Sequence, residues 1–277
     1  MNPQKILVTL ALAGLSVLAL AQTPSLTAAP AASPVVAAAI HPWQRPAPRV
    51  NTEAYFTNLQ DGAKIETPFR IGFGLSGGWG LAPISKPMDG KSGHHHLLIN
   101  RDLPLDFKQA LPFNEQYIHF GKGQMETVLT LEPGRYTLRL LLADAKHLPH
   151  FVYSKPVNIT VTRKNAEIDP KSLVVKGIAL LNLSPDVLLR PPFRVQFQAS
   201  GLNVAHLTQN EKDTGHFRLT VTPQKGGKPA EMDFIDGQTE TWLAPPSGAY
   251  TLKLDFMDNV MVGKPLTAAV TAQIRVE

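Results

Sequence analysis

The chain has 277 residues, 43% of them apolar, a formal net charge of +5 and no cysteine. That apolar content suffices for two ordinary cores and excludes disorder over most of the length, while the lack of cysteine excludes disulfide stabilisation and any thiolate nucleophile or metal ligand. The positive charge is not gathered into a basic block with interleaved aromatics, which argues against nucleic acid as a partner.

In chain order, residues 1–21 carry Lys5, the apolar run "ILVTLALAGLSVLALA" and a small-x-small end at Ala19-Leu20-Ala21, the pattern of a cleavable signal peptide. The run is only about 16 residues where a spanning helix needs about 20. We therefore expect export, to the periplasm or the cell exterior, with no integral membrane span in the mature chain. Residues 22–50 are rich in Ala, Pro, Ser and Thr and read as a flexible tether that cannot bury a core.

The folded part is an internal repeat. "YFTNLQDGAKIETPFRIGFGLSG" (55–77) aligns without a gap on "ALLNLSPDVLLRPPFRVQFQASG" (179–201), "GHHHLLI" (93–99) on "GHFRLTV" (215–221), and "FGKGQMETVLTLEPGRYTLRLLLAD" (120–144) on "FIDGQTETWLAPPSGAYTLKLDFMD" (234–258). This gives a His-rich domain at 51–163 and a degenerate second copy at 173–277, joined by "RKNAEIDPKS" (163–172). Both copies show period-two alternation broken by Pro, Gly, Asn and Asp, without a helical stripe, so the expected fold is all-β, two tandem sandwiches. Tyr136 and Tyr250 each follow a turn glycine by two residues at the start of an alternating strand, as in the tyrosine corner of immunoglobulin-like domains. By that analogy strand B is 69–75, C is 94–99, E is 127–131, F is 136–143 and G is 157–161. The outward residues of the second strand F, Thr251, Lys253, Asp255 and Met257, are expected to be solvated.

Phe217, Leu219 and Val221 form the core face of the second strand C, so their counterparts His95, Leu97 and Ile99 face the core, and His94 and His96 face outward. Two imidazoles at i and i+2 lie about 6.6 Å apart along a strand, within the span of two ligands to one ion. Strands C and F are antiparallel neighbours in this topology, which brings His147 and His150, just after F, to the same pole. His119, before strand E, belongs there too, and the B–C loop adds Met88 and Asp89. The second copy keeps only His206 and His216 near its equivalent pole, and Met261 aligns with His147, so the fold does not demand the histidines. An imidazole cluster without thiolate favours copper or zinc, with His94, His96, His147 and His150 as first-choice ligands, His119 as a fifth and Met88 for reduced copper. Exposed or backbone-bonded turn histidines are the alternative, as is binding of an anion, peptide or glycan by protonated imidazoles. The Gly-Gln-x-Glu-Thr core common to both copies is expected to be structural, Gly123 and Gly237 supplying an unusual backbone angle and Gln124 and Gln238 satisfying loop amides.

On "GHHHLLIN", "HFGKGQMETVLTLEPGRYTLRLLLADAKHLPH" and "VNITV", domain one resembles the bacterial domain-of-unknown-function 4399 family, across about 55–162. The departures are Asn100 for Asp, Met125 for Thr and Tyr136 for His. Domain two, without "HHH" and "HxPH", is similar only in outline. The resemblance implies an exported bacterial domain and names no substrate. The expected function is thus a non-enzymatic protein holding a copper or zinc ion at the histidine pole. The rivals are a structural or adhesive module binding a cell-envelope component or partner protein without metal, and a metallohydrolase with Asp89, Glu126 or Asp144 as base.

Overall fold

The computed structural model describes residues 40–48, 53–104, 106–183 and 187–277. The expected signal peptide and most of the expected tether lie outside these residues. Among the described residues the only helical element is a 3-10 turn, Pro170–Leu173, and no helix is long and apolar enough to cross a membrane.

In chain order the first strands are β1 (Gln44–Arg45), β2 (Ala54–Phe56), β3 (Ala63–Thr67), β4 (Phe69–Leu75), β5 (Gly80–Leu81), β6 (Ser92–Ile99), β7 (Tyr117–His119), β8 (Glu126–Leu129), β9 (Gly134–Ala143), β10 (Pro149–Tyr153) and β11 (Val157–Lys164). The second copy supplies β12 (Gly177–Leu180), β13 (Leu188–Leu189), β14 (Phe193–Ser200), β15 (Asn203–Val204), β16 (Thr214–Pro223), β17 (Ala230–Phe234), β18 (Glu240–Leu243), β19 (Gly248–Asp258) and β20 (Val270–Val276). In the first copy β2-β4-β8 faces β3-β11-β9-β6, with β5 and β7 beside β6; in the second, β12-β14-β18 faces β13-β20-β19-β16, with β15 and β17 beside β16. The first short edge strand pairs parallel with the last strand in both, β3 with β11 and β13 with β20. This is the A-B-E against A′-G-F-C order of an immunoglobulin-like sandwich. The tyrosine corners are present: the Tyr136 hydroxyl donates to the Glu132 carbonyl at 2.9 Å and the Tyr250 hydroxyl to the Pro246 carbonyl at 2.7 Å.

The alternating residues fill the space between the sheets. Ile71, Phe73, Leu97, Leu138 and Leu140 in the first copy, and Val195, Phe197, Leu219 and Leu254 in the second, are fully buried and belong to one continuous apolar cluster. The copies meet through the Gly-Gln-x-Glu-Thr segment. Gly123 (φ +88) accepts from the Val204 amide at 2.9 Å, and Gly237 (φ +76) from the Leu81 amide at 2.8 Å, each pairing with the opposite copy. Gln124 and Gln238 accept from the Lys122 and Asp236 amides at 2.9 and 3.1 Å. Glu126 binds Arg70 at 2.7 Å and accepts from the Ser200 hydroxyl and Gly201 amide of the second copy, both at 2.8 Å. In mirror fashion Glu240 pairs with Arg194 and accepts from Tyr55 of the first copy at 3.2 Å.

Two expectations change. Within the stretch expected to be a tether, Gln44 and Arg45 pair with Leu243 and Trp242 of β18, and the Trp43 ring lies edge-on to Tyr250 at 5.7 Å. An indole beside an open sheet edge gains too much by burial to stay in water. Asp255 and Met257 are buried, not solvated: Asp255 lies opposite Arg218 on β16, and Met257 lies between His216 of β16 and Pro265.

Candidate metal centre

The register of β6 builds the site. His94 lies opposite Ala143 and His96 opposite Leu141 on β9, while on the other side His96 lies opposite His119 on β7. As the alternation requires, His95 turns inward, its ring 5.6 Å from that of Phe73, and His94 and His96 turn to the outer face. That face is not open to water: all three histidines have 0% exposure. Residues between β6 and β7 fold back over it, where Leu98, Leu111, Leu141 and Ala143 form a second apolar cluster with Leu103, Phe107, Tyr117 and Tyr153 against it. Sequence reasoning missed this cover. Its signal is the unbroken apolar run Leu140–Ala143 in β9, which marks a strand buried on both faces, where the second copy has the alternating "LKLDFMD".

The turn after β9 brings in the third ring. Asp144 Oδ1 accepts from the Lys146 and Leu148 amides at 2.8 and 2.9 Å, closing a loop in which His147 takes a left-handed backbone, φ 62. His96 Nε2 then lies 2.9 Å from His94 Nε2, and His94 Nε2 lies 3.2 Å from His147 Nδ1. All three nitrogens fall within 4.8 Å of one another. Ligands about 2.0 to 2.1 Å from a tetrahedral zinc stand about 3.4 Å apart, so only small side-chain shifts separate this set from coordination.

The other proposed ligands are placed differently. The His119 ring is 5.4 to 5.7 Å from the other three by ring centroid, beside the triad but outside it. His150 stacks at a tilt on Trp79 at 4.9 Å, with Nε2 buried and unpartnered. Met88 lines a separate depression with Asp89, Asp144 and Lys146, and its carbonyl accepts from the Ser92 hydroxyl. Phe113, which the sequence did not single out, stands edge-on to His119 and His147 at 4.8 and 4.5 Å. Glu126 and Asp144, named as candidate bases, are engaged at the interface of the copies and in the ligand turn.

The electrostatics distinguish the two copies. Burial, and then the surrounding histidines, lowers the pKa of His94 to about 3 and of His96 to about 2, and also lowers that of His119. Nδ1 of both His94 and His96 is buried without a hydrogen-bond partner among the described residues. The second copy resolves the same positions with internal partners. His216, the counterpart of His94, has Nδ1 2.7 Å from Asn259 Oδ1. Arg218 and Asp233, which occupy the register of His96 and His119, form a two-point ion pair at 2.6 and 2.8 Å. His206 bonds to the Lys86 carbonyl and the Thr208 hydroxyl at 2.8 and 2.7 Å. The first copy therefore carries an unusual deficit of partners at a place the fold can satisfy by itself.

A family model described as "Domain of unknown function (DUF4399)" matches residues 71–162 and 195–277. The chain belongs to the DUF4399 family. Both matched regions fall on the sandwiches, so the degenerate copy is a family domain despite having lost the histidines. Among solved structures, this DUF4399 chain is similar to fibronectin(III)-like modules of Clostridium thermocellum CbhA, at 9% identity, with 81% of this chain and 94% of that one covered and a TM-score of 0.27. It is also similar to a two-domain fibronectin type III segment of chicken tenascin, at 12% identity, 81% and 98% coverage and a TM-score of 0.23. A third match is to the FN1-FN3 domains of chicken CNTN1, at 10% identity, 84% and 69% coverage and a TM-score of 0.22. The strand order and the two tyrosine corners mark the immunoglobulin-like sandwich. No curated protein matches.

Proposed function

We propose that this protein is an exported, non-enzymatic metal-binding protein that takes up one transition-metal ion, copper or zinc, through His94, His96 and His147. One observation carries the reading: the imidazoles of buried His94 and His96 and of half-buried His147 converge, where the sister domain carries hydrogen-bonded His216 and ion-paired Arg218 in place of the first two. His94 Nε2 faces both His96 Nε2 and His147 Nδ1 with a single lone pair or proton to offer them, whereas one bound cation is ligated by all three. The signal-like residues 1–21 support export.

Calorimetric titration of the full chain with Cu(II) and Zn(II) at pH 7.5 tests it. One equivalent should bind at the native site and be lost in His147→Gly, a substitution that suits the left-handed backbone of residue 147. If neither ion binds the native chain, the assignment fails. The exposed apolar loop Val260, Met261 and Val262 then favours a second reading, an envelope module whose partner is recovered by metal-independent pull-down and lost when Val262 is changed to Asp.

A further inference from the structure

The metal reading leaves the ion open, and three features of the site bear on its charge. Every donor in the triad is a neutral imidazole, and no Asp or Glu joins the group among the described residues. The one carboxylate in the ligand turn, Asp144, is turned to the backbone amides of Lys146 and Leu148. An ion here therefore keeps its whole charge in a buried setting. The desolvation penalty grows with the square of the charge, so it is about four times larger for a dication than for a monocation of similar size.

The ring atoms that face away from the ion point the same way. Zinc-bound histidines ordinarily pass their other N–H to a carboxylate or carbonyl, which raises the basicity of the ligating nitrogen. Nδ1 of His94 and of His96 has no such partner, which weakens both as donors to a dication.

The site is closed on its strand side, where His94 and His96 have no exposed surface; half-buried His147 is held by the Leu111 amide, which donates to its carbonyl at 2.9 Å, and His119, the remaining nearby nitrogen donor, stands outside the triad with its ring packed perpendicular to Phe113. Zn(II) seeks a fourth ligand, and Cu(II) a tetragonal set of nitrogen or oxygen donors. A closed-shell Cu(I) ion is satisfied by two or three nitrogens alone.

Resting on the metal-site reading, we infer that the site is selective for cuprous ion, held three-coordinate by His94, His96 and His147, over Zn(II) and Cu(II). The test is an anaerobic competition titration of the full native chain at pH 7.5. Cu(I) is titrated against bicinchoninate, and Zn(II) and Cu(II) against chromophoric chelators, with His147→Gly run in parallel. One equivalent of Cu(I) should bind at least about a hundredfold more tightly than Zn(II), a margin matching the several kcal/mol that separates the ions in desolvation, and it should be lost in the variant. Zn(II) or Cu(II) bound as tightly as Cu(I), and lost in the same variant, overturns the cuprous assignment while the metal site stands. If no ion binds, or if Cu(I) binding is unchanged in His147→Gly, both fall.

Discussion

His95 is the residue with the largest unrelieved cost in the first sandwich. Its ring is buried against Phe73, and neither nitrogen has a partner among the described residues. Phe217 occupies the equivalent place in the second copy, packed on Phe197 and Phe256 at 5.1 and 5.0 Å. His95→Phe should therefore stabilise the protein by about 1–3 kcal/mol in urea unfolding at pH 7.5, by removing two orphaned polar atoms. The pH dependence carries a sign. Burial lowers the His95 pKa to about 3, so below the ordinary value of 6.5 the unfolded chain takes up a proton that the native state refuses. Stability is lost as pH falls from 6.5 toward 3, at about 1.4 kcal/mol per pH unit for this one residue. The variant should show a shallower acid slope by that amount, and an unchanged slope would mean that the native ring titrates normally.

At the scale of elements, β6, β7 and β9 set the chemistry through their register. His96 opposite His119 in the first copy and Arg218 opposite Asp233 in the second are two solutions to one cross-strand position. Placing the second solution in the first copy, as His96→Arg with His119→Asp, should preserve the sandwich and abolish metal binding, because an internal ion pair replaces the open nitrogens. Circular dichroism and thermal melting report on the first part and calorimetry on the second. A folded double variant that still binds one equivalent would remove His96 from the ligand set. Strands C and F were legible through the second copy, where "HFRLTV" and "YTLKLDF" alternate, and the i, i+2 pairing of His94 and His96 followed from that alignment. The segment covering their outer face was not legible, since burial of Leu98, Leu141 and the histidines depends on where residues 100–116 return.

For the whole molecule, the two copies behave as one packing unit with a pseudo-symmetric seam. A Cβ on Gly123 would lie 2.0 Å from the Val204 carbonyl oxygen, and one on Gly237 would lie 2.2 Å from that of Leu81. Both residues also need positive φ. Gly123→Ala should consequently destabilise the chain by about 3 kcal/mol, combining left-handed strain with overpacking against backbone. Because the apolar cluster runs through both copies, the loss should appear as a shift of a single cooperative melting transition. Two resolved transitions, with only one moved, would show that the cores unfold separately.

The sequence alone determined the duplication, the all-β class, the strand boundaries near Phe69, Tyr136 and Val157, and the structural use of Gly123 and Gly237. Each follows from local rules: period-two burial, turn chemistry, and a motif kept in both copies. Only the tertiary structure decided that His94, His96 and His147 converge while His150 turns to Trp79 and Met88 lines a separate depression. It also decided that Arg218, Asp233 and Asn259 supply in one copy the partners that the other copy lacks. Those outcomes depend on loop return, side-chain direction and cross-strand register, which one-dimensional spacing does not encode. Convergence of side chains from three separate segments is settled by packing, and here that packing leaves imidazoles facing one another with no protein group to complete them.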